Sequence, residues 1–348
     1  TTTTNWSDTS GGSGGFSVPT SADTVIFDSA SNATAYTVTC TATQLRCGAL
    51  TMAGPASGNV TWAGTAPLAI HSNVSLAATG ITRSYTGAIT LSGSTTGRTL
   101  TTNGVTLANA ITVNGVNCGW VLGSALTIGS NIVTLTNGTF DTASYAVSLA
   151  RFVNVSGGNA TTLTLGSSTI TAGSEGLQVN GFGFTLNAGT STFNISTPSP
   201  TFGVLAGDPV TLYNVAFTNT SGGTVEIRGA NTFNNLSFTG ITAAGLKIIN
   251  FLANQTINGT LTLSAGTDAT MRHFVRSDTL GTTRTLTVNA FSGTDADFRD
   301  ITVTGTAAPI SGTRLGDCKG NSGITFGAGV TRYWNLAGGG NWGGSVGW

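Results

Sequence analysis

Carboxylates are the first place to look for chemistry in this chain, and they are scarce. Asp and Glu number 13 among 348 residues, matched by 13 Lys and Arg, so the formal charge is zero. The densest group is Asp295, Asp297 and Asp300, in FSGTDADFRD. Asp295 and Asp297 stand at i and i+2, so on a strand both leave the same face. Two carboxylates at a set separation can serve a glycosidic bond as acid and as nucleophile or base. Several oxygens together can also hold Ca²⁺. The spacing does not meet the calcium-loop pattern of alternating acids with a distal Glu. The plainer expectation is a surface acidic cluster of turn residues, with no catalytic set and no metal.

Other reactive side chains are fewer still. His71, in LAIHSNVSL, and His273, in MRHFVRSD, are the only histidines, and they stand far apart. Two such residues make neither a metal site nor a triad by sequence. Lys247 and Lys319 are the only lysines, which leaves little for Schiff-base or phosphate-loop chemistry. No glycine-rich nucleotide motif precedes a helix, and no cofactor is expected. Cys40, Cys47, Cys118 and Cys318 show no metal-ligand spacing. Cys40 and Cys47 could pair across a turn. The plainer expectation is that they are small buried core residues.

The aromatics carry more promise. Trp6, Tyr333, Trp334, Trp342 and Trp348 gather at the two chain ends in Gly-rich surroundings. Exposed Trp and Tyr stack on sugars and anchor interfaces. The expectation is that these five cap the ends of the fold or make subunit contacts, with ligand binding as the alternative.

The elements that would position these residues read as strands. From Leu122 to Ser264 short runs alternate apolar with hydroxyl residues and close on Gly, Asn or Ser, as in TTLTLGSSTITAG and QTINGTLTLSAG. Alternation places successive side chains on opposite faces, and the closing residues form turns. Thr, Val and Ile suit a pleated, half-buried surface. No stretch holds a helical period. ASYAVSLARFV, Ala143 to Val153, comes nearest, and a strand pair fits its neighbours better. QLRCGALTM, Gln44 to Met52, reads as one strand. The chain is therefore expected to be all-β, a parallel β-helix or β-solenoid of roughly 20–25 residues per coil and about a dozen coils. A tandem array of β-sandwiches is the alternative. Residues 1–34 would form an N-terminal cap, 35–290 the solenoid body and 291–348 a C-terminal cap with a Trp/Gly-rich tail.

Composition excludes some partners. Only 7% of residues are charged, against about a quarter in an ordinary domain. There is no basic stripe for nucleic acid and no polybasic patch for a membrane surface. The longest apolar run, Leu246 to Ala253, contains Lys247 and Asn250 and is too short to span a bilayer. The apolar content, 39%, argues for a folded chain despite 50 glycines. No signal peptide is read, and the missing initiator Met fits a processed chain or a fragment.

Two stretches resemble a known module. NWSDTSGGSGGFSVPTSADTVIFD (Asn5 to Asp28) resembles the opening of a repeat module common in structural proteins of marine tailed phages and in some bacterial surface proteins. DFRDITVTGTAAPISGTRLGDCKGNSGITF (Asp297 to Phe326), followed by TRYW (Thr331 to Trp334), resembles its close. NTFNNLSFTG (Asn231 to Gly240) and QTINGTLTLSAGT (Gln255 to Thr267) resemble its coil consensus. The resemblance implies an extended parallel solenoid in a virion appendage, a tail fibre or capsid decoration, or at a cell surface. It brings no catalytic residues with it. On this reading the protein is non-enzymatic and self-associating, as a trimer, an open filament or with other virion proteins. A receptor-binding module for surface glycans is the alternative, and a tailspike-type depolymerase stands behind both.

Overall fold

Alternating β-branched and apolar residues with short Gly- and Asn-rich breaks can satisfy their backbones only by lateral pairing. In the computed structural model, which describes residues 5–266, 268–328, 331 and 333, that pairing is parallel throughout and joins one coil to the next. The chain is a parallel β-solenoid of about 13 turns, with no α-helix among the described residues. Bonds such as Ser92 Oγ to Asn114 O, Thr142 Oγ1 to Leu165 O and Thr218 Oγ1 to Ile195 O link residues 22 or 23 apart. That offset is the length of a coil. The contacts divide into two compact units, Thr1–Asn194 with Val204–Asp208, and Ile195–Gly203 with Pro209–Trp348.

Register stacks like residues on like. In the first unit Leu45, Leu68, Ile89, Ile111 and Val133 form one inward column. A separate three-stranded sheet, Tyr36–Cys40, Val60–Gly64 and Ile81–Tyr85, closes one side of its early coils. There Trp62 and Tyr85 stack at 4.6 Å, both buried. In the second unit Leu212, Phe233, Ile257 and Val288 form a column, and Phe217 stacks on Phe238 at 4.9 Å. Each buried aromatic of this kind contributes roughly 1.5–3 kcal/mol of apolar burial.

Two local expectations change, and that of Cys40 and Cys47 as buried core residues holds. Gln44 to Met52 is not one strand but two, Leu45–Cys47 and Leu50–Met52. Gly48 makes the corner, and a Cβ there would lie 3.1 Å from the backbone of Ala22 and Asp23. Ala143 and Ser144 have φ of 49° and 65°, so the most helix-like stretch opens with a left-handed turn. It then runs as the strand Val147–Asn154. All four cysteines are free. Cys40, Cys47 and Cys118 are buried, and burial pushes the Cys47 thiol up to about 12. Cys318 is exposed.

One inward column of the second unit breaks the apolar rule. Gly223, Lys247, His273 and Ala296 are register partners, and Lys247 and His273 are each 1% exposed. Lys247 Nζ donates to Asn219 O and Thr239 O, with no carboxylate in ion-pair range among the described residues. Burial lowers its pKa to about 8. His273 Nε2 lies 2.8 Å from Ser264 O and must carry the proton, because a carbonyl only accepts. Its Nδ1 is buried without a partner among the described residues. Burial first, and then the Lys247 charge, lower the pKa of His273, while Ser264 O and Asp295 oppose them.

Both groups therefore bind protons more readily in the unfolded chain. Their stability contribution is present above the unfolded pKa and lost as pH falls through the folded one. Lys247 should make stability rise from pH about 8 to 10.5, and His273 should make it fall below 6.5. Urea midpoints across pH check this. Lys247→Met should flatten the alkaline rise and His273→Leu the acid loss, whereas slopes equal to those of the parent chain would contradict it.

Candidate functional site

The acidic residues come together, but not at the surface. The strand Ala296–Arg299 lies on Met271–Ser277, with Phe274 opposite Asp297 and Arg276 opposite Arg299. Asp295 precedes this strand with φ of 56° and is fully buried. It accepts from Arg314 Nε at 2.5 Å and Nη2 at 2.7 Å, and from Arg272 Nη1 at 3.4 Å. Asp297 takes Arg272 Nε and Nη2, each at 2.7 Å. That bidentate bond, ahead of the opposing burial, holds the Arg272 guanidinium above its ordinary value. Asp300, with φ of 56° and only 6% exposed, accepts from Gly281 N at 3.0 Å and lies 3.3 Å from Arg299 Nε.

The expected surface cluster is thus corrected: Asp295 and Asp300 are buried and Asp297 is half-buried. The left-handed backbone at Asp295 and Asp300 turns each side chain back against the coils. Arginines from distant sequence, Arg272 and Arg314, close on Asp295 and Asp297, and the adjacent Arg299 on Asp300. Charge-assisted, bidentate bonds of this kind are strong and geometrically fixed. Here they tie Met271–Ser277, Ala296–Arg299 and the segment at Arg314 together. Among the described residues no group of three His, Cys, Asp or Glu side chains is placed to hold a metal.

The aromatic candidates separate. Trp6 is half-buried, its ring 6.3 Å from Phe27, and its carbonyl accepts from Gly15 N and Phe16 N at 3.1 Å each. Tyr333 is 80% exposed. Trp334, Trp342 and Trp348 lie outside the described residues. Sequence reasoning passed over Phe16, Tyr145 and Phe182, which are also exposed. Alternation alone marks which residues leave a strand on one face, and these three lie in turns and lead segments where it gives no signal.

One groove of about 480 Å³ lies against Ile81 and Arg83, bounded on the far side by Gly104, Val105 and Thr106. Arg83 seals its floor. The guanidinium donates to Thr106 O, to Tyr85 O at 2.9 Å and to Asn109 Oδ1 at 2.8 Å, and lies 5.7 Å over the Trp62 ring. No carboxylate lines this groove. The chain matches no family model, no curated protein and no solved structure. The reading of its function therefore stands on the geometry and on the resemblance in its sequence.

Asp295→Asn should lower the stability of the second unit, since a fully buried carboxylate gives up its charge-assisted bonds to Arg314 and Arg272. Asp297→Asn, at a half-exposed pair, should lose less. Denaturant unfolding of both variants measures the difference, and equal small losses would show that the cluster does not hold the coils.

Proposed function

We propose that the protein is a non-enzymatic structural module that acts by self-association in a virion appendage or extracellular filament. The carrying observation is the first strand, Val25–Phe27. Among the described residues it is paired along one edge only, by Leu50–Met52. Val25 N donates to Ala49 O, and Ala53 N donates to Phe27 O. Parallel ladders alternate, so Ile26 turns its N–H and C=O to the open edge. Ile26 is 51% exposed, and the segment leading in exposes Phe16 at 46% and Val18 at 40%. An unpaired edge beside exposed apolar side chains is a template for another chain.

Two further points support the reading. The one acidic cluster is committed to arginines that bind coil to coil, rather than facing a groove. Nearly neutral, charge-poor surfaces also associate readily. The assignment to a virion rests on the resemblance of Asn5–Asp28 and Asp297–Phe326 to the phage module. Closed trimers and open filaments both satisfy the symmetry that such an edge permits.

Light scattering behind size exclusion tests this across a range of concentrations. The chain should show a mass above that of one copy, and Ile26→Lys should return it towards a single copy without changing its far-UV spectrum. A single-copy mass at every concentration would sink the proposal.

A further inference from the structure

In a chain this poor in charge, two arginines and a histidine that neighbour one another, with no ion-pair partner among the described residues, require an account. Arg46 lies opposite Ala69 on the next coil, and His71 follows two positions on. Diagonal neighbours across paired strands sit roughly 7–8 Å apart, within reach of long side chains. Arg98 comes in from the following coil. An atom at the Cβ position of Gly93 would lie 2.5 Å from Arg98 Cζ and 2.8 Å from His71 O, so the guanidinium packs on Gly93 on the side where the backbone of His71 also lies.

Among the described residues no carboxylate lies in ion-pair range of these groups. Arg98 is only 9% exposed, and its one bond is Nη1 to Thr95 O. Arg46 is exposed and reaches only the neutral Gln44 Oε1, at 3.1 Å. The His71 ring nitrogens have no partner among the described residues. Asp23 is nearby in backbone, since Gly48 N donates to Asp23 O. Its carboxylate, however, accepts from Thr20 N and Oγ1 at 2.7 Å each. From the next coil Arg98 faces the buried Cys118, a thiol whose pKa burial raises. Burial, then Arg46, then Arg98 lower the pKa of His71. A buried cation without a counter-charge is costly, and an anion from solution would relieve it.

We infer that Arg46, His71 and Arg98 form a binding site for an oxyanion group: a sulfate, phosphate or carboxylate, free or carried on an acidic glycan. Arg98 supplies the fixed donor, with N–H groups left over after Thr95. Arg46 closes from the exposed side. His71 adds a third donor and, once protonated, a third charge. Binding tightens as pH falls through the His71 pKa, which lies below 6.5. The site does not depend on self-association.

The test is an NMR titration of the His71 imidazole in sodium sulfate and in sodium chloride of equal ionic strength. Sulfate should raise the His71 pKa more than chloride does. Arg46→Ala, at an exposed position that leaves the fold intact, should lower sulfate affinity about fivefold. His71→Asn should abolish the pH dependence of binding while the midpoint of unfolding stays near that of the parent. Inorganic phosphate, a sulfated oligosaccharide and a uronic-acid oligosaccharide then separate the sources. Tighter binding of a saccharide than of the free ions identifies a glycan-borne group, and equal binding identifies a free oxyanion. Equal responses to sulfate and chloride, or a sulfate affinity unchanged by Arg46→Ala, would overturn the site. Neither result touches the mass measurement that tests association.

Discussion

The parallel ladder between coils is the constraint on which everything else depends. It fixes the spacing of neighbouring coils at about 4.8 Å and sets each residue over its partner about a coil length away. Apolar residues gain from that arrangement, because Leu45, Leu68 and Ile89 stack into one dry column. Hydroxyl and amide residues also gain, since a side chain can bond the coil beside it. Thr142 reaches Leu165 O in this way, and Asn235 Oδ1 accepts from Thr260 N at 2.8 Å. Like charges lose, because register holds them side by side. A composition of Thr, Gly, Asn and few charges follows from the ladder rather than from any catalytic need.

The departures from this rule are informative. Arg276 and Arg299 are register partners, a placement that should repel. They are held apart by Phe274, with Arg276 Cζ 5.4 Å and Arg299 Cζ 5.6 Å from its ring, so each cation meets a π face. Asn250 Oδ1 then takes Arg276 Nε at 2.6 Å. Lys247 and His273 are a harder case, because they stack inside the column itself. The Nε2 proton of His273 goes to a carbonyl and Nδ1 is left bare. The layer is coherent only while the imidazole is neutral, and this makes it the weakest part of the interior against acid.

Much of the fold was legible because it is local. Alternation and turn residues between Leu122 and Ser264 are enough to give parallel coils of about the observed length. What was not legible depends on backbone angles and long-range pairing. The corner at Gly48 leaves no mark in an alternation that runs through it. The positive φ at Asp295 and Asp300 accompanies the burial of two carboxylates in an apparently exposed acidic run, and the partners of Asp295, Arg272 and Arg314, lie 23 and 19 residues away on either side. The same limit explains the cation group. Arg46, His71 and Arg98 look unrelated in sequence, and only the coil offset brings them together.

That offset also says where function can reside in such a fold. Interior columns are committed to packing, so recognition must come from outward positions at corresponding places in neighbouring coils. Most of these carry Thr, Ser or Asn and serve the ladder. In the second unit the outward arginines are largely answered by acids, Arg228 by Glu226, Arg272 by Asp297 and Arg284 by Asp278. In the first unit Arg151 has Glu175, while the exposed Arg46 and the largely buried Arg98, which lies on the face of Leu100, have no acid in ion-pair range among the described residues. Where the ladder holds other cations without an acid, neutral acceptors stand in, two carbonyls for Lys247 and Tyr85 O with Asn109 Oδ1 for Arg83; Arg46 and Arg98 have fewer such acceptors. Arg98 is the sharper case of the two, because burial denies it the solvation that an exposed Arg46 retains.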